Sequence, residues 1–376
     1  MELCIYCFLP FIISLFSSWF LIPQIRFIAL KKKLFDIVDE RKVHIGIIPR
    51  LGGVAFFPTF MLVSALFLCA YIIFRDTMDI SIGMESVKEW ILTLCCTMIL
   101  YLTGIGDDLV GLKYRQKLVI QVFVASIFVA SGLWINNLYG ILGIYDISLS
   151  FGIPLTIFII IFILNAINLI DGIDGLASGL SMIAFLFYGC IFMYLHSWFY
   201  CIQAFIAFGM LVPFFYYNVF GNVKRGRKIF MGDGGSLTIA MLLSVFTIKL
   251  CYFEPEVMQV QIPHAIVIVF SLLIVPMFDV VRVVIHRLRT GCNPFKPDRN
   301  HIHHKFLDLG LSHKSTMITI LLISIFFGAS NILLAPYVNI NFLLIFDIVL
   351  WTVMHVVITI KIRKKHFTET VETCDL

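Results

Sequence analysis

Residues 158–195 read FIIIFILNAINLIDGIDGLASGLSMIAFLFYGCIFMYL: an apolar run, a polar interruption around Asp171 and Asp174, then a second apolar run. The two runs are read as membrane spans, about 154–168 and 175–196, with the polar turn at the membrane edge. Outward from this pair the pattern repeats. Apolar stretches of roughly 18–25 residues recur along the chain, each long enough to cross a hydrocarbon core of about 30 Å as a helix. The remaining segments are about 3–25, 53–74, 89–105, 117–137, 199–219, 234–253, 264–285, 316–336 and 342–360. The expectation is an all-α integral membrane protein, a polytopic bundle of about 11 transmembrane helices.

Composition agrees. The 376 residues are 60% hydrophobic and 14% charged, whereas soluble domains run near 45–50% apolar and about 25% charged. That excludes an ordinary soluble domain. The longest interruption, about 286–315, is too short to hold its own core. The chain is therefore read as one polytopic domain, 1–376. The N-terminal run lacks a basic region and a small-residue cleavage site, so it is read as a retained span. Most of the ten cysteines lie in apolar runs and behave as small hydrophobes; Cys4 and Cys7 form a C-x-x-C inside a span, a poor context for redox chemistry.

Basic residues set the orientation. Arg26, Lys31, Lys32, Lys33, Arg41, Lys42 and Arg50 fall on one side with Lys113, Arg115, Lys117, Lys224, Arg225, Arg227 and Lys228. Arg282, Arg287, Arg289, Lys296, Arg299, Lys305, Lys314 and the tail Lys361, Arg363, Lys364 and Lys365 join them, while Arg75, Lys88 and Lys249 fall on or near the other. The N-terminus is then outside and the C-terminus cytoplasmic. The cytoplasmic loops are about 26–52, 106–117, 168–175, 220–234 and 286–315.

Every polar cluster of interest falls in those loops. RKVHIGIIPRLGG carries His44 and Arg50; GIGDDLVGLKYRQKL carries Asp107, Asp108 and Lys117; NAINLIDGIDGLASG carries Asn165, Asn168, Asp171 and Asp174. KIFMGDGGS carries Lys228, Phe230 and Asp233, and the last loop carries Asp279, Arg282 and DRNHIHHKF with His301, His303 and His304. Carboxylates at a span end cost several kcal/mol when desolvated and unpaired. Set among cations, they suit a polyanion bound through a divalent metal, the arrangement that phosphoryl transfer needs. Asn and Asp oxygens favour hard Mg²⁺. The glycines around Asp233, just before a helix start, let backbone N–H groups approach a phosphate.

In order and spacing, PRLGG, GxxDD with a downstream lysine, NAxNLIDGIDGLA, FMGDGGS and DRNHIHH resemble the polyprenyl-phosphate N-acetylhexosamine-1-phosphate transferase family, over about residues 36–310. The HIHH form is similar to its undecaprenyl-phosphate GlcNAc-1-phosphate branch. The resemblance implies transfer of an amino-sugar 1-phosphate from a UDP-sugar, UDP-GlcNAc by default, to undecaprenyl phosphate. It implies a Mg²⁺ cofactor, with Mn²⁺ as a substitute, and the bacterial inner membrane with the site facing the cytoplasm. Asp107 and Asp108 would be the paired catalytic acids, Asp107 deprotonating or orienting the lipid phosphate, and Lys117 would contact phosphate. Asp233 and Asn168 would hold the metal. Asp171 and Asp174 would line the nucleotide and sugar site, Phe230 would stack on uracil, and His301, His303, His304 and Arg50 would bind substrate. No nucleic acid is expected; a homodimer is allowed by the sequence and not read from it.

Blander readings stand beside these. Asp107 and Asp108 could cap a helix at the membrane edge, the histidines could solvate an interfacial helix, and Asp279 and Arg282 are first read as paired with each other. A zinc site at HIHH lacks companion ligands. A transporter or lipid-linked sugar flippase would place ionisable groups near the midplane, where Lys249, Asp347 and His355 are the candidates. A CDP-alcohol phosphotransferase would need an alanine-arginine step and two later aspartates that DGIDGLA lacks.

Overall fold

In a computed structural model of the chain, residues 2–32, 34, 48–76, 78, 80–223, 225–253, 262–291 and 300–374 are described. Lys33, Arg41, Lys42, His44, Lys224, Lys296 and Arg299 lie outside them, as does the Cys4 side chain.

The elements run α1 (Glu2–Lys31), a 3-10 turn (Gly52–Ala55) leading into α2 (Phe56–Ile73), α3 (Met84–Val110), α4 (Tyr114–Val129), a hairpin of β1 (Asn137–Ile141) and β2 (Ile144–Asp146), and α5 (Leu149–Ile170). There follow α6 (Leu176–Tyr194), α7 (Trp198–Phe220), α8 (Gly232–Cys251), α9 (Ala265–Ser271), α10 (Ile274–Arg289), α11 (Ile302–Asp308), α12 (His313–Leu334) and α13 (Ile340–Cys374). Among the described residues nine helices are long and apolar enough to cross a membrane. Their outer faces carry exposed Phe8, Phe16, Phe20, Phe158 and Phe342, an apolar surface suited to lipid. This is a multi-pass membrane protein.

All eleven segments expected from the sequence are helical, but two depart from a simple span. The segment expected over 117–137 leaves the helix after Val129, where Gly132 adopts φ +96°, and the chain turns into the β1–β2 hairpin. The segment expected over 264–285 is broken between α9 and α10, which meet at 79°. Proline explains that break. Pro276 has no N–H to give and its ring would strike the carbonyl four residues earlier, at Leu272, where the helix stops.

Helix α8 is the hub. Nearly all of it is buried, and it touches the 3-10 turn, α2, α3, α5, α6, α7 and α9. Small residues make this crowding feasible. At its start the approach is backbone on backbone: a Cβ added to Gly104 of α3 would lie 2.5 Å from the Cα and N of Gly234. At the far end Lys249 of α8 donates to both carboxylate oxygens of Glu89 on α3, each at 3.0 Å, with its ammonium 4.9 Å from the Tyr200 ring centroid. Lys249 is thus half of an ion pair, a partner the sequence reading missed. Asp347 accepts from Asn331 at 3.0 Å, and the His355 ring lies 4.7 Å from that of Trp351. The transporter reading needs these groups in one relay. Lys249 is tied to Glu89 instead.

Replacing Gly104 by alanine forces α3 away from α8 against unyielding backbone. A destabilisation on the order of 3 kcal/mol is expected, read as a lower unfolding midpoint of the detergent-solubilised protein; an unchanged midpoint would show that the helices can part without cost.

Candidate active site

Helices α3, α5, α7 and α10 end, and α4, α6, α8 and α12 begin, around one end of the bundle. Each end leaves backbone groups that need partners, and polar side chains supply them. The last turn of α3 holds Asp107 and Asp108, and the two diverge. Asp108 reaches the first turn of α8: its carboxylate accepts from the backbone N–H of Asp233 at 2.9 Å and of Gly234 at 3.0 Å. The cap reading therefore holds for Asp108, but the helix it caps is α8. Asp107 takes the backbone N–H of Leu112 at 2.5 Å and pairs with Lys117.

Lys117, in the first turn of α4, is shared. Its ammonium bridges the carboxylates of Asp107 and Asp233. Three helix ends thus converge on one cation. Asn168, in the last turn of α5, donates to Ser236 Oγ at 2.8 Å, and Ser236 bonds the carbonyl of Asp233 at 3.3 Å.

The PRLGG and FMGDGG motifs are paired strand-fashion. Phe230 N donates to Pro49 O at 2.8 Å, Gly52 N to Phe230 O at 2.9 Å and Gly53 N to Met231 O at 2.8 Å. Arg50 and Phe230 are thereby neighbours. Gly232 turns the chain into α8 with φ +74°, and a Cβ there would lie 2.1 Å from Arg50 O. Only glycine fits that turn.

The D-G-I-D loop between α5 and α6 closes the recess. Asp174 pairs with Lys228 at 2.5 Å, with both side chains largely covered. Asn218, buried in α7, accepts from Gly175 N at 2.6 Å and donates to Ile229 O at 2.8 Å, joining this loop to the segment before Phe230. Gln121 of α4 accepts from Asn165 at 2.8 Å in the same way. Neither Asn218 nor Gln121 was singled out from sequence; their only signal is an amide inside an apolar run. Asp171 is exposed at one edge, but protein packs densely around it. Partial dehydration, then the carboxylates of Asp233, Asp174 and Asp108, push its carboxyl up to about 7 against the pull of Arg50.

The histidine segment docks against this loop. His303 is buried on Gly172, where an added Cβ would lie 2.3 Å from its Nε2. Burial, then the neighbouring rings of His304 and His301, pushes it down to about 3, so it is neutral at pH 7. His301, also buried, is stacked on it with centroids 5.9 Å apart, and the His304 ring lies 4.2 Å from that of His303. Merely solvating an interfacial helix does not describe His301 or His303. Asp279 does pair with Arg282, at 2.7 Å, but it also holds His301 Nδ1 at 2.8 Å. From outside, α13 braces the segment: Lys305 donates to Thr359 Oγ1 at 3.0 Å and Lys365 to Asp308 O at 3.2 Å.

Over residues 90–251, from α3 through α8, the chain matches the model of the family described as glycosyl transferase family 4. It is 32% identical over 326 residues, 86% of this chain and 84% of the relative, to the probable undecaprenyl-phosphate N-acetylglucosaminyl 1-phosphate transferase of Bacillus subtilis strain 168. The chain belongs to glycosyl transferase family 4. Within this family it is also similar to undecaprenyl-phosphate alpha-N-acetylglucosaminyl 1-phosphate transferases of Escherichia coli K12, 30% over 323 residues (85% and 82% of the two chains), and Salmonella typhi, 31% over 314 residues (82% and 78%). The stretch matched by the family 4 model contains Asp107, Asp108, Lys117, Asn168, Asp171, Asp174, Phe230 and Asp233. Arg50 and the histidines lie outside that stretch and reach the same recess by folding.

The recess carries an electrostatic signature. Asp171 titrates near 3.8 when free and near 7 in the fold, so between those values the folded chain binds the extra proton. Stability conferred by that proton is lost as pH rises across the window. Without divalent cations the unfolding midpoint should therefore fall between about pH 5 and about pH 7.5, and fall less in Asp171→Asn; parallel slopes would relieve Asp171 of this role.

Proposed function

We propose that this chain transfers an N-acetylhexosamine 1-phosphate, GlcNAc 1-phosphate first among them, from its UDP-sugar to undecaprenyl phosphate. A phosphate oxygen of the lipid attacks the β-phosphorus; the bond from that phosphorus to the bridging oxygen breaks, and UMP leaves. The product is a diphosphate-linked lipid sugar, the first intermediate of a cell-envelope polysaccharide. The observation that carries the reading is the Lys117 ammonium shared between Asp107 and Asp233 where three helix ends meet. Such a cluster holds both signs of charge at the rim of a helix bundle. There a phosphate on a membrane-embedded tail and a water-borne nucleotide can meet.

The residues have distinct parts in this reading. Asp107 orients or deprotonates the attacking phosphate, and Lys117 passes from its carboxylate partners to phosphate oxygens. Asp108, with its carboxylate turned to the start of α8, positions Asp233 rather than touching substrate. Arg50, Phe230 and Asp171 line the nucleotide and sugar side; Asp174 acts through its pair with Lys228. The donor set fits Mg²⁺. Among the described residues no three His, Cys, Asp or Glu side chains form a metal cage, and Mg²⁺ characteristically takes one or two carboxylates together with substrate phosphates and water. Asp233 would hold it with the Asn168 amide oxygen beside it, and when bound it would neutralise charge on the phosphate oxygens.

The segregation of basic residues supports eleven crossings, with the N-terminus outside and this recess at the cytoplasmic face of a bacterial inner membrane. The short α4 and the bent α9–α10 pair would then count as one crossing each.

The test is UMP release from UDP-GlcNAc and undecaprenyl phosphate by purified protein. Activity should require Mg²⁺ and vanish with a chelator. Asp233→Asn should lower turnover by about 10²-fold or more with the unfolding midpoint kept, and Lys117→Ala should lose catalysis or phosphate binding. Failure to turn over any UDP-amino sugar in protein that binds the lipid would defeat the proposal.

A further inference from the structure

We infer that Asp279 is a positioning residue for the histidine segment, holding His301 with its proton on Nδ1 so that Nε2 is the nitrogen offered to a ligand. The inference rests on the proposed sugar-phosphate transfer only for what that ligand is.

Asp279 has a side chain wholly removed from solvent, on α10. A carboxylate so placed needs partners for its oxygens. It finds them all in the short stretch leading into α11 and in its own helix. Oδ2 meets His301 Nδ1 at 2.8 Å; Oδ1 takes the backbone N–H of Ile302 at 3.0 Å and Arg282 Nη2 at 2.7 Å. Arg282 Nη2 also donates to the carbonyl of Asn300. Residues 300, 301 and 302 are thus held in register by one acid and its arginine.

The His301 contact carries chemical information. An ionised carboxylate only accepts hydrogen bonds, so the imidazole nitrogen facing it must carry a proton. With Nδ1 so engaged, Nε2 is free to accept from, or when charged to donate to, a phosphate or sugar hydroxyl. A carboxylate behind a histidine fixes ring orientation as well as tautomer. Here the ring continues into a row: His301 stacks on His303 with planes 6° apart, and His303 rests on Gly172 beside Asp171. Asp279 anchors the end of that row remote from the acidic loop. Its second task, accepting from Ile302 N–H, caps α11, whose N-cap residue His301 makes no side-chain cap of its own.

The two tasks separate in Asp279→Asn. The amide keeps an oxygen for Ile302 N–H but presents N–H to His301, so Nδ1 must become the acceptor. With UDP-GlcNAc and undecaprenyl phosphate, kcat of the folded protein should fall about 10–100-fold while KM for the lipid stays put; the unfolding midpoint should drop as well, because Arg282 loses its anionic partner. In a double-mutant cycle with His301→Ala, the double variant should be no slower than His301→Ala alone. Losses that multiply, or an unimpaired Asp279→Asn, would overturn the inference. A second measurement does not need turnover: ¹⁵N-histidine NMR of the wild type, with His301 assigned by difference from His301→Ala. A protonated Nδ1 supports the inference and a bare Nδ1 overturns it. If no UDP-sugar is turned over, the proposed function fails and the spectrum alone decides about Asp279; if Asp279→Asn does not fold, the spectrum decides as well.

Discussion

The bond between the Asp108 carboxylate and the first N–H groups of α8 is the constraint on which the rest of the recess turns. A helix start is a small positive pole with unsatisfied donors, and near a membrane those donors cannot be left to chance. Asp108 satisfies two of them from a neighbouring helix. In doing so it fixes where Asp233 begins, how close Gly104 and Gly234 come, and hence where Lys117 finds both of its carboxylates. Glu89 and Lys249 repeat the fastening at the opposite end of the same two helices. A buried pair of this kind adds little net stability, but it sets register. Between the two fastenings, α3 and α8 have little freedom to slide.

Much of this was legible in the sequence. Hydrophobic run length announced the spans, because crossing a hydrocarbon layer leaves so few alternatives. The five motifs announced the recess, because ionisable residues at span ends demand a reason. What could not be read was the division of labour inside each motif. Asp107 and Asp108 are adjacent and chemically identical, yet one faces a cation and the other a backbone. The roughly 100° turn between successive helix residues separates them, and only the position of α8 says which is which. Asp174 looked like a ligand-facing acid and is tied to Lys228. Asn218 and Gln121 were invisible, since a lone amide in an apolar run carries no spacing signal. The break between α9 and α10 had a visible cause in Pro276, but prolines within α1, α5 and α7 do not break those helices. Whether a proline bends a span depends on neighbours that the linear chain does not name.

The recess is frustrated as it stands, and usefully so. Asp171 sits among the like charges of Asp233, Asp174 and Asp108, and Arg50 draws its charge the other way. A ligand that brings a cation with it relieves this repulsion, whereas a bare anion must displace Lys117 from two acids. Under the proposed function, the same physics would favour a metal–nucleotide complex over the nucleotide alone, before any shape is considered.

The last helix gives the architecture an unexpected dependency. α13 contributes none of the acids, yet Thr359 and Lys365 grip the outer side of the short histidine helix. The segment bearing His303 is thus clasped between the Asp171 loop within and the final span without. Synthesis proceeds from the N-terminus, so the acidic cluster can be complete while this clasp is still missing. A nascent chain would then possess the carboxylates of this cluster before its imidazoles are seated, and a stretch that emerges after both would be the one that closes the latch.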